Sequence, residues 1–459
     1  MSTLQHIRLA NETCKTYKLA ASNKQLVVQA ERKNYIQSKS QSKFARPRTS
    51  VYISNGLNTS STNRAENSPN TGANDTMDKI KAVIFDLDGT LIQTETLILD
   101  IARHVVAQHG KELTEEAIAA SLGRSPIDAW ATVARLLDID APPQSLLDAA
   151  EPLLRERWPE AGLLPGAARV LKHLAEVPSL RVALATSSPR ETLQRKISSK
   201  PELQNAFHHI HCGDDSDCPG KPAPDCFLLT AKALGVRPIE CLVIEDAPCG
   251  VQAAIAAGMY VVVVPSLHEP SAYPIQDNVV EILPSLLSFE PHRYGMPPFS
   301  DYIAGTIPLE PVWRISGKVV RGFGRGSSEL GIPTANLDAV SLRGALAEAV
   351  TGIYGGWASL GNSGEVYPMC MSVGWNPVFG NKEKTCEPWI LHDFKGQSFY
   401  GVELRLVVVT FIRPESNFPS IEELVRRIHK DAEMTRQALE NQTLGAYRND
   451  PFFYPSTLC

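Results

Sequence analysis

Short, uninterrupted apolar runs recur through residues 80–265 and end in polar residues. The first, Ala82–Phe85, leads directly into Asp86. Runs of this length are typical of strands that are buried on both faces of a parallel sheet. Segments with helical spacing, such as 167–177 and 226–234, separate them, so the pattern predicts an α/β fold. The later runs lie within Arg181–Ser188, Leu242–Ile244 and Val261–Val264.

The segment between the first two predicted strands contains helical patterns and no strand pattern. Its first helix has one apolar face, and residues 118–122 and 127–137 continue in the same style. We therefore expect an all-helical insert at about 93–165, from which residues 164–166 return the chain to the sheet. The apolar face consists of Leu97, Ile98, Ile101, Val105 and Val106.

In the second half of the chain, short strand-like segments follow one another with glycine turns between them. This pattern predicts a β-barrel, and apolar residues at helical spacing predict a last helix over 421–439. Because prolines are frequent in residues 265–298, we expect a first domain at 77–290, a linker at 291–311 without tight coupling, and a second domain at 312–459. The predicted strands are Val312–Val320, Thr351–Leu360, Val366–Val373, Trp389–His392 and Glu403–Ile412.

The overall composition is that of an ordinary globular chain. The 459 residues are 43% hydrophobic and carry a net charge of −5, which implies no nucleic-acid or membrane surface. No apolar run approaches the ~18 residues of a membrane span. The nine cysteines are odd in number and form no C-x-x-C pair, which favours a reducing compartment and free thiols.

The charge is uneven, because residues 1–76 hold 11 Lys and Arg against 4 Asp and Glu. This segment is rich in Ser, Thr, Asn and Gln and poor in large apolar residues, so we expect a disordered leader. It is a tail without function, a mis-assigned start with Met77 as the true one, or an organelle import signal. We expect a cytoplasmic protein, or a plastid or mitochondrial one if the leader directs import.

Candidate chemistry lies where the predicted strands end, which is where ligands bind in open parallel sheets. Asp86 and Asp88 follow the first strand; one carboxylate suits a nucleophile and metal ligand, and the other suits proton transfer. Glu245 and Asp246 follow a later strand. Paired acids repel each other unless a cation lies between them, and Mg²⁺ with a substrate phosphate is the natural occupant.

Two further residues suit an anionic substrate. Thr186 ends the second predicted strand, where its hydroxyl and the following N–H groups could hold a phosphoryl oxygen, although a strand-end Thr is nearly always structural. Lys221 precedes a predicted helix in the proline-containing loop Gly220–Asp225 and offers a cation to an anionic centre.

Together these segments resemble the motifs of the haloacid dehalogenase superfamily of phosphatases and phosphotransferases. The resemblance implies a Rossmann-like haloacid dehalogenase fold whose helical insert is a cap that closes over the site. It implies that Asp86 is the nucleophile, that Asp88 protonates the leaving oxygen and then activates water, and that Thr186 and Lys221 bind phosphate. Asp86, the backbone carbonyl of Asp88, and Asp246 would hold Mg²⁺, with Glu245 supporting them. The matching strings are DLDGT at Asp86–Thr90, GKPAPD at Gly220–Asp225 and EDAPCG at Glu245–Gly250.

The segment Arg321–Ser328, RGFGRGSS, contains three glycines and two arginines. Such a loop can wrap its N–H groups around phosphates, although by itself it favours a plain hairpin. Several downstream strings together with it resemble riboflavin kinase and span nearly all of residues 312–436. They are LGIPTAN, GIY-x-GWA (352–358), MSVGWNP (371–377), EPWILHDF (387–394), FYG (399–401) and IRPESNF (412–418).

This second resemblance implies a β-barrel riboflavin kinase domain with a C-terminal helix and with ATP as co-substrate. Thr334 and Asn336 would bind ATP phosphates and Mg²⁺, or Zn²⁺ or Mn²⁺, and Glu387 would be the general base that deprotonates riboflavin. Gly355 and Val378 depart from the family pattern, which puts flavin affinity in doubt. The residues of the glycine loop that would cover the nucleotide are Gly322, Gly324, Arg325, Gly326 and Ser327.

The order of the halves resembles that of the plant-type bifunctional riboflavin kinase/FMN phosphatases. It implies that riboflavin, FMN and ATP are the partners, with FMN made at the barrel and hydrolysed at the first domain. Two alternatives remain, because motifs do not name a substrate: the first domain hydrolyses another small phosphate such as a sugar phosphate, or it is a non-catalytic regulatory module. The oligomeric state stays open.

Overall fold

The computed structural model describes two sheets, each with its own apolar core. In the first, six strands pair in the order β3-β2-β1-β4-β5-β6, and every pair is parallel. The strands are β1 Ala82–Phe85, β2 Arg181–Ala185, β3 His209–His211, β4 Cys241–Glu245, β5 Tyr260–Val263 and β6 Val279–Ile282. The described residues are 80–121, 124–215, 219–265, 273–274, 276–321, 332–338, 349–361, 363–375 and 384–454.

The central strands of this sheet are buried along their whole length, as the uninterrupted apolar runs predicted. In β1 and β4 each residue is buried, because helices cover both faces. Because β1 and β4 are parallel neighbours, Asp86 and Asp246, which follow them, lie at the same edge of the sheet. The helices of this domain outside the insert are α5 Ala167–Ala175, α6 Arg190–Ile197, α7 Pro201–Gln204, α8 Asp225–Leu234 and α9 Pro248–Ala256.

The segment after β1 is an all-helical cap with a separate apolar core, as predicted. Trp130, Val105 and Leu146 belong to that core. The chain enters and leaves the cap side by side, since Ile92 pairs with Leu163 in an antiparallel bridge. Its helices are α1 Glu95–Gln108, α2 Glu115–Ser121, α3 Pro126–Leu137 and α4 Pro143–Arg157.

The second sheet has the order β11-β10-β9-β12-β7-β8, with all pairs antiparallel. Its two ends meet, because the Ala335 N–H donates to the Pro388 carbonyl at 2.8 Å, so the sheet closes into the predicted barrel. The strands are β7 Ile307–Val320, β8 Asn336–Leu337, β9 Gly352–Leu360, β10 Val366–Trp375, β11 Lys384–Ile390 and β12 Glu403–Pro414.

The helix α10, Ile421–Leu439, has the predicted bounds and packs on the outside of the barrel, followed by α11 at Gln442–Ala446. Its attachment is ionic as well as apolar. Asp431 is buried and accepts hydrogen bonds from Arg413 on β12 and from Arg427 on its own helix. None of the helices in the described ranges has the length and apolarity needed to cross a bilayer.

The segment between the two sheets is packed, in contrast to the expected loose linker. Phe289, Tyr294 and Phe299 belong to the core of the first sheet, and the Arg169 guanidinium pairs with the Asp301 carboxylate through two 2.7 Å hydrogen bonds. The strand β7 begins at Ile307, five residues before the predicted Val312. This proline-containing stretch is therefore a packed connection, and the assignment of 77–290 and 312–459 as functional domains stays a prediction.

Candidate functional site

The carboxyl ends of β1 and β4 and the loop before α8 bring together the acids and the lysine singled out in the sequence. The Lys221 side chain is buried, and its Nζ donates to Asp86 Oδ1 at 2.5 Å and to Glu245 Oε1 at 2.8 Å. A third hydrogen bond, 3.3 Å long, reaches the Ala185 carbonyl on β2. The lysine therefore ties three strand ends into one site.

Asp246 approaches the turn after β1, where Gly89 has a φ of +84°. A side chain at Gly89 would be strained by that dihedral and would collide with the Asp246 carboxylate. The Thr90 hydroxyl donates to Asp246 Oδ1 at 3.2 Å. The turn thus needs glycine both for its conformation and for the close approach of the acid.

Three acids, Asp86, Glu245 and Asp246, meet one lysine at this site, so its charge favours the binding of a further cation. Burial raises the pKa of Asp86 to about 7 against the opposing charge of Lys221, and Glu245 and Asp88 add to the rise. Burial disfavours the charged form of Lys221, but Asp86 and Glu245 hold its pKa well above the usual value.

The same carboxylates fit a divalent metal. Asp86, Glu245 and Asp246 each offer a ligand atom, and these atoms lie within 4.8 Å of one another. Carboxylate oxygens are the ligands that Mg²⁺ prefers, and a cation there would favour the ionised form of Asp86. Both Glu245 oxygens already accept hydrogen bonds, from Lys221 and from the Ala247 N–H, which suits the supporting role inferred for it.

Asp88 lies beside a pair of residues that sequence reasoning missed. Its Oδ1 accepts a 2.7 Å hydrogen bond from the buried Lys196 Nζ, and its Oδ2 accepts one of 2.9 Å from the Ser188 hydroxyl. Ser188 closely follows Thr186 in the sequence, so its proximity could have been anticipated. Lys196 stands on α6 in the charged string RETLQRKI and carries no motif signal.

Thr186 lies at the end of β2, between the Ala185 carbonyl that Lys221 contacts and Ser188. It is buried, and its Oγ1 accepts a 3.1 Å hydrogen bond from the Ser188 N–H. The structure therefore places all the phosphatase-type residues at one edge of the sheet. Their individual roles stay predictions.

A second group of predicted residues meets where the barrel closes. Ala335 pairs with Pro388, so its neighbours Thr334 and Asn336 run beside Glu387. Side chains alternate between the faces of a strand, and Ala335 and Cys386 belong to the barrel core. Thr334, Asn336 and Glu387 therefore lie on the outer face.

Glu387 is half-buried and stands opposite Ser372 on β10. Burial raises the pKa of its carboxyl above the usual value, which makes it a better proton acceptor when ionised. The nucleotide-loop residues Gly322, Gly324, Arg325, Gly326 and Ser327 lie outside the described residues, as does Val378.

Gly355, expected to be aromatic from the family pattern, has a packing explanation. A Cβ at this position would come within 2.9 Å of Thr410 Cγ2 and 3.0 Å of Thr435 on α10. The missing side chain lets the helix lie close to β9. Gly355 therefore serves the contact between helix and barrel.

Comparison with known families agrees with this division. Residues 80–258 match the haloacid dehalogenase-like hydrolase family, and residues 309–439 match the riboflavin kinase family. A human riboflavin kinase is 46% identical over 140 residues, 30% of this chain and 89% of that protein. The (DL)-glycerol-3-phosphatase 2 of Arabidopsis thaliana is 35% identical over 228 residues, 48% of this chain and 94% of that protein.

One relative spans both halves. The bifunctional riboflavin kinase/FMN phosphatase of Arabidopsis thaliana is 42% identical over 370 residues, which cover 81% of this chain and 96% of that protein. The described chain carries two separate groups of candidate site residues, one at the edge of the parallel sheet and one where the barrel closes. This chain belongs to the family of bifunctional riboflavin kinase/FMN phosphatases.

Proposed function

We propose that the barrel transfers the γ-phosphoryl group of ATP to riboflavin and that the first domain hydrolyses FMN to riboflavin and phosphate. The observation that carries this proposal is the presence, in one chain, of a buried Asp86–Lys221–Glu245 cluster and of Glu387 beside Thr334–Asn336. Membership of the bifunctional family is the reason for naming riboflavin and FMN as the substrates.

In the hydrolytic half-reaction, an Asp86 oxygen attacks phosphorus and the bond to the ribityl oxygen breaks, while Asp88 gives that oxygen a proton. Asp88 then takes a proton from water, whose oxygen displaces Asp86 and releases inorganic phosphate. Lys221 lies against Asp86 at 2.5 Å and is placed to stabilise phosphoryl charge. Mg²⁺, held by Asp86, Asp246 and the backbone carbonyl of Asp88, would supply further positive charge.

In the kinase half-reaction, the terminal ribityl hydroxyl of riboflavin loses its proton to Glu387 as its oxygen bonds to the γ-phosphorus. The bond from that phosphorus to ADP breaks. Such a reaction requires positioning and charge stabilisation more than covalent chemistry. Thr334 and Asn336 would hold the ATP phosphates with Mg²⁺, Zn²⁺ or Mn²⁺.

The two activities in one tube give a direct test. With Mg²⁺, riboflavin and excess ATP, FMN should rise to a plateau below full conversion while ADP continues to accumulate, because the sum of both steps is ATP hydrolysis. FMN is followed by chromatography and ADP by a coupled assay. In the Asp86→Asn control, FMN should reach full conversion and ADP should stop, since an amide cannot form the acyl-phosphate. ADP equal to FMN throughout with the unaltered protein would mean that the first domain ignores FMN.

A second candidate for the first domain is hydrolysis of another small phosphate. The 35% identity to a protein described as a (DL)-glycerol-3-phosphatase favours it. A substrate panel containing FMN, glycerol 3-phosphate and sugar phosphates separates the two. FMN turnover at a kcat/KM at least about tenfold above the others supports the lead proposal, and absence of hydrolysis with any of them would leave the regulatory-module alternative.

We propose a cytoplasmic location, with plastid or mitochondrion as the alternative if residues 1–76 direct import. The excess of Lys and Arg over Asp and Glu in this segment supports the alternative. Fluorescent fusions of the full chain and of a chain that begins at Met77 test it. Diffuse fluorescence from both supports the cytoplasm, and organelle fluorescence from the full chain alone supports import.

A further inference from the structure

A triangle of hydrogen bonds surrounds the Asp88 carboxylate. Lys196 Nζ donates to Asp88 Oδ1 at 2.7 Å and to Ser188 Oγ at 2.9 Å, and the Ser188 hydroxyl donates to Asp88 Oδ2 at 2.9 Å. Both oxygens of the carboxylate therefore have a donor from α6 or from the loop before it. The Asp88 side chain is 31% exposed, against 6% for Lys196, so the triangle holds a partly open acid from its buried side.

The ammonium group also lies against the base of the cap. Lys196 Nζ is 4.4 Å from the centre of the Trp158 ring, a distance at which an aromatic face attracts a cation. Trp158 directly follows the last cap helix, α4. The neighbouring Pro159 carbonyl accepts hydrogen bonds of 2.6 Å from Ser199 Oγ and 3.1 Å from Lys200 Nζ. The end of the cap is therefore fastened to the residues that follow Lys196.

We propose that Lys196 is a positioning residue that, with Ser188, fixes the orientation of the Asp88 carboxyl for proton transfer, and that Trp158 shields this ion pair from water at the base of the cap. The inference rests on the proposed role of Asp88 in the first domain. Charge-assisted hydrogen bonds are short and directional, whereas an unsupported Asp side chain would occupy several rotamers. Lys196 acts through Asp88 and is not assigned a contact with substrate.

The competing explanation is that the ion pair between Lys196 and Asp88 only stabilises the fold. Two substrates with different leaving groups distinguish the two explanations. The ribityl oxygen of FMN needs a proton to leave, whereas p-nitrophenolate does not. In Lys196→Met, formation of the Asp86 phosphoenzyme should fall about 10²-fold with FMN and less than about fivefold with p-nitrophenyl phosphate. Hydrolysis of the phosphoenzyme still requires Asp88 to activate water, and this second step should remain slow in the variant. p-Nitrophenyl phosphate should therefore give a burst of about one p-nitrophenolate per protein, followed by slow turnover.

Lys200→Met is the matched control. Lys200 is as buried as Lys196 and bonds to the same cap segment, but its Nζ donates to the carbonyls of Pro159 and Lys196 and to Ser199 Oγ rather than to an acid. This variant should lower the unfolding temperature without changing the ratio of the two rates. Ser188→Ala provides a milder second probe, expected to lower the FMN rate about tenfold and to spare p-nitrophenyl phosphate, and it keeps the test decisive if Lys196→Met does not fold.

The outcomes also separate this inference from the proposed function. Equal losses with both substrates and no burst in Lys196→Met and in Ser188→Ala would overturn the positioning role. If the unaltered protein ignores FMN but cleaves glycerol 3-phosphate, the flavin assignment fails. The positioning role is then tested by comparing glycerol 3-phosphate, in place of FMN, with p-nitrophenyl phosphate. If Asp88→Asn leaves alkyl phosphate hydrolysis unchanged, the assigned role of Asp88 fails, and the positioning role fails with it.

Discussion

At the scale of single residues, burial prepares the acids of the two sites in different ways. Asp86 is buried among charged neighbours, and Lys221 limits the rise of its pKa to about 7. Glu387 is half-buried, and removal from water is the cause that raises its pKa. The first site therefore depends on compensating charges, while the barrel acid depends on its partial removal from solvent.

The raised pKa of Glu387 predicts an acid limit for the kinase reaction. A general base acts when deprotonated, so activity should fall as pH drops through its pKa, which lies above the ~4.3 of a free glutamate. We expect kcat/KM for riboflavin, measured from pH 4.5 to 8 with saturating ATP and Mg²⁺, to decline on the acid side within this range.

Glu387→Gln is the control for this profile and should lower kcat/KM at least about 10²-fold. It should leave hydrolysis by the first domain intact, just as Asp86→Asn should leave the kinase intact. A variant that keeps the acid limb of the profile, or the absence of an acid limb between about pH 4.5 and 8 in the unaltered protein, would contradict the assignment of Glu387 as the base.

At the scale of elements, two adjacent glycines on β9 allow different close contacts, Gly355 with α10 and Gly356 with the backbone of β12. A Cβ on Gly356 would collide with the Val407 carbonyl of the neighbouring strand, whereas the three atoms nearest to a Cβ on Gly355 are side-chain atoms of Thr410 and Thr435. Backbone of a paired strand cannot yield without loss of sheet hydrogen bonds, while a side chain can shift. The two positions should therefore tolerate a methyl group differently.

We predict that Gly356→Ala lowers the free energy of unfolding of the barrel by about 3 kcal/mol or more. The adjacent Gly355→Ala should cost about 1 to 2 kcal/mol, within the usual range for mild overpacking. Denaturant unfolding with the Trp fluorescence of the barrel measures both. Equal costs for the two variants would show that the β9–β12 contact is looser than described.

At the scale of the whole molecule, the connection between the two sheets packs mainly into the apolar core of the first sheet. The Arg169 guanidinium stacks on Phe299, 3.6 Å from the ring centre, and pairs with Asp301. Leu287 contributes instead to the apolar core of the barrel. One short stretch thus supplies packing to both sheets.

Asp301→Ala should destabilise the first domain, because the Arg169 side chain is only 7% exposed and would lose its carboxylate. Since Asp301 itself is 43% exposed, we expect a loss of about 1 to 3 kcal/mol rather than the full cost of breaking a buried pair. Thermal unfolding followed by loss of phosphatase activity measures it. Glu160→Ala removes one of the two acidic partners of Arg157 at the surface and should cost less than about 1 kcal/mol. A similar loss in both variants would argue against the packed connection.

A further prediction for the whole molecule concerns residues 1–76, the expected leader. A chain that begins at Met77 should keep both activities within a few-fold, because the composition of residues 1–76 lacks the apolar residues of a packed segment. Steady-state assays of both reactions on the full and shortened chains provide the measurement. Loss of folding or of either activity on truncation would refute the leader interpretation.

The elements with a strong local pattern were predictable from sequence. Apolar runs located β1 and β4, and the stripe of Ile421, Leu424 and Ile428 located α10 with its observed bounds. Elements without such a pattern were missed: β3, for example, is the three-residue string His-Ile-His, and α6 has an unusually polar sequence. The polar first half of β11 also concealed where that strand begins.

Sequence alone determined which residue types stand at the ends of the parallel strands, since each motif is a local string that follows its own strand. Tertiary structure decided which distant groups meet them. Lys196 reaches Asp88 across 108 positions of the chain, and the barrel closes because Ala335 meets Pro388. No local period records such pairs, because they depend on how helices and strands pack after they form. Gly355 is a further case that the sequence alone does not explain. A glycine at this position departs from the family pattern, and its closeness to Thr435 on α10 gives the reason for it.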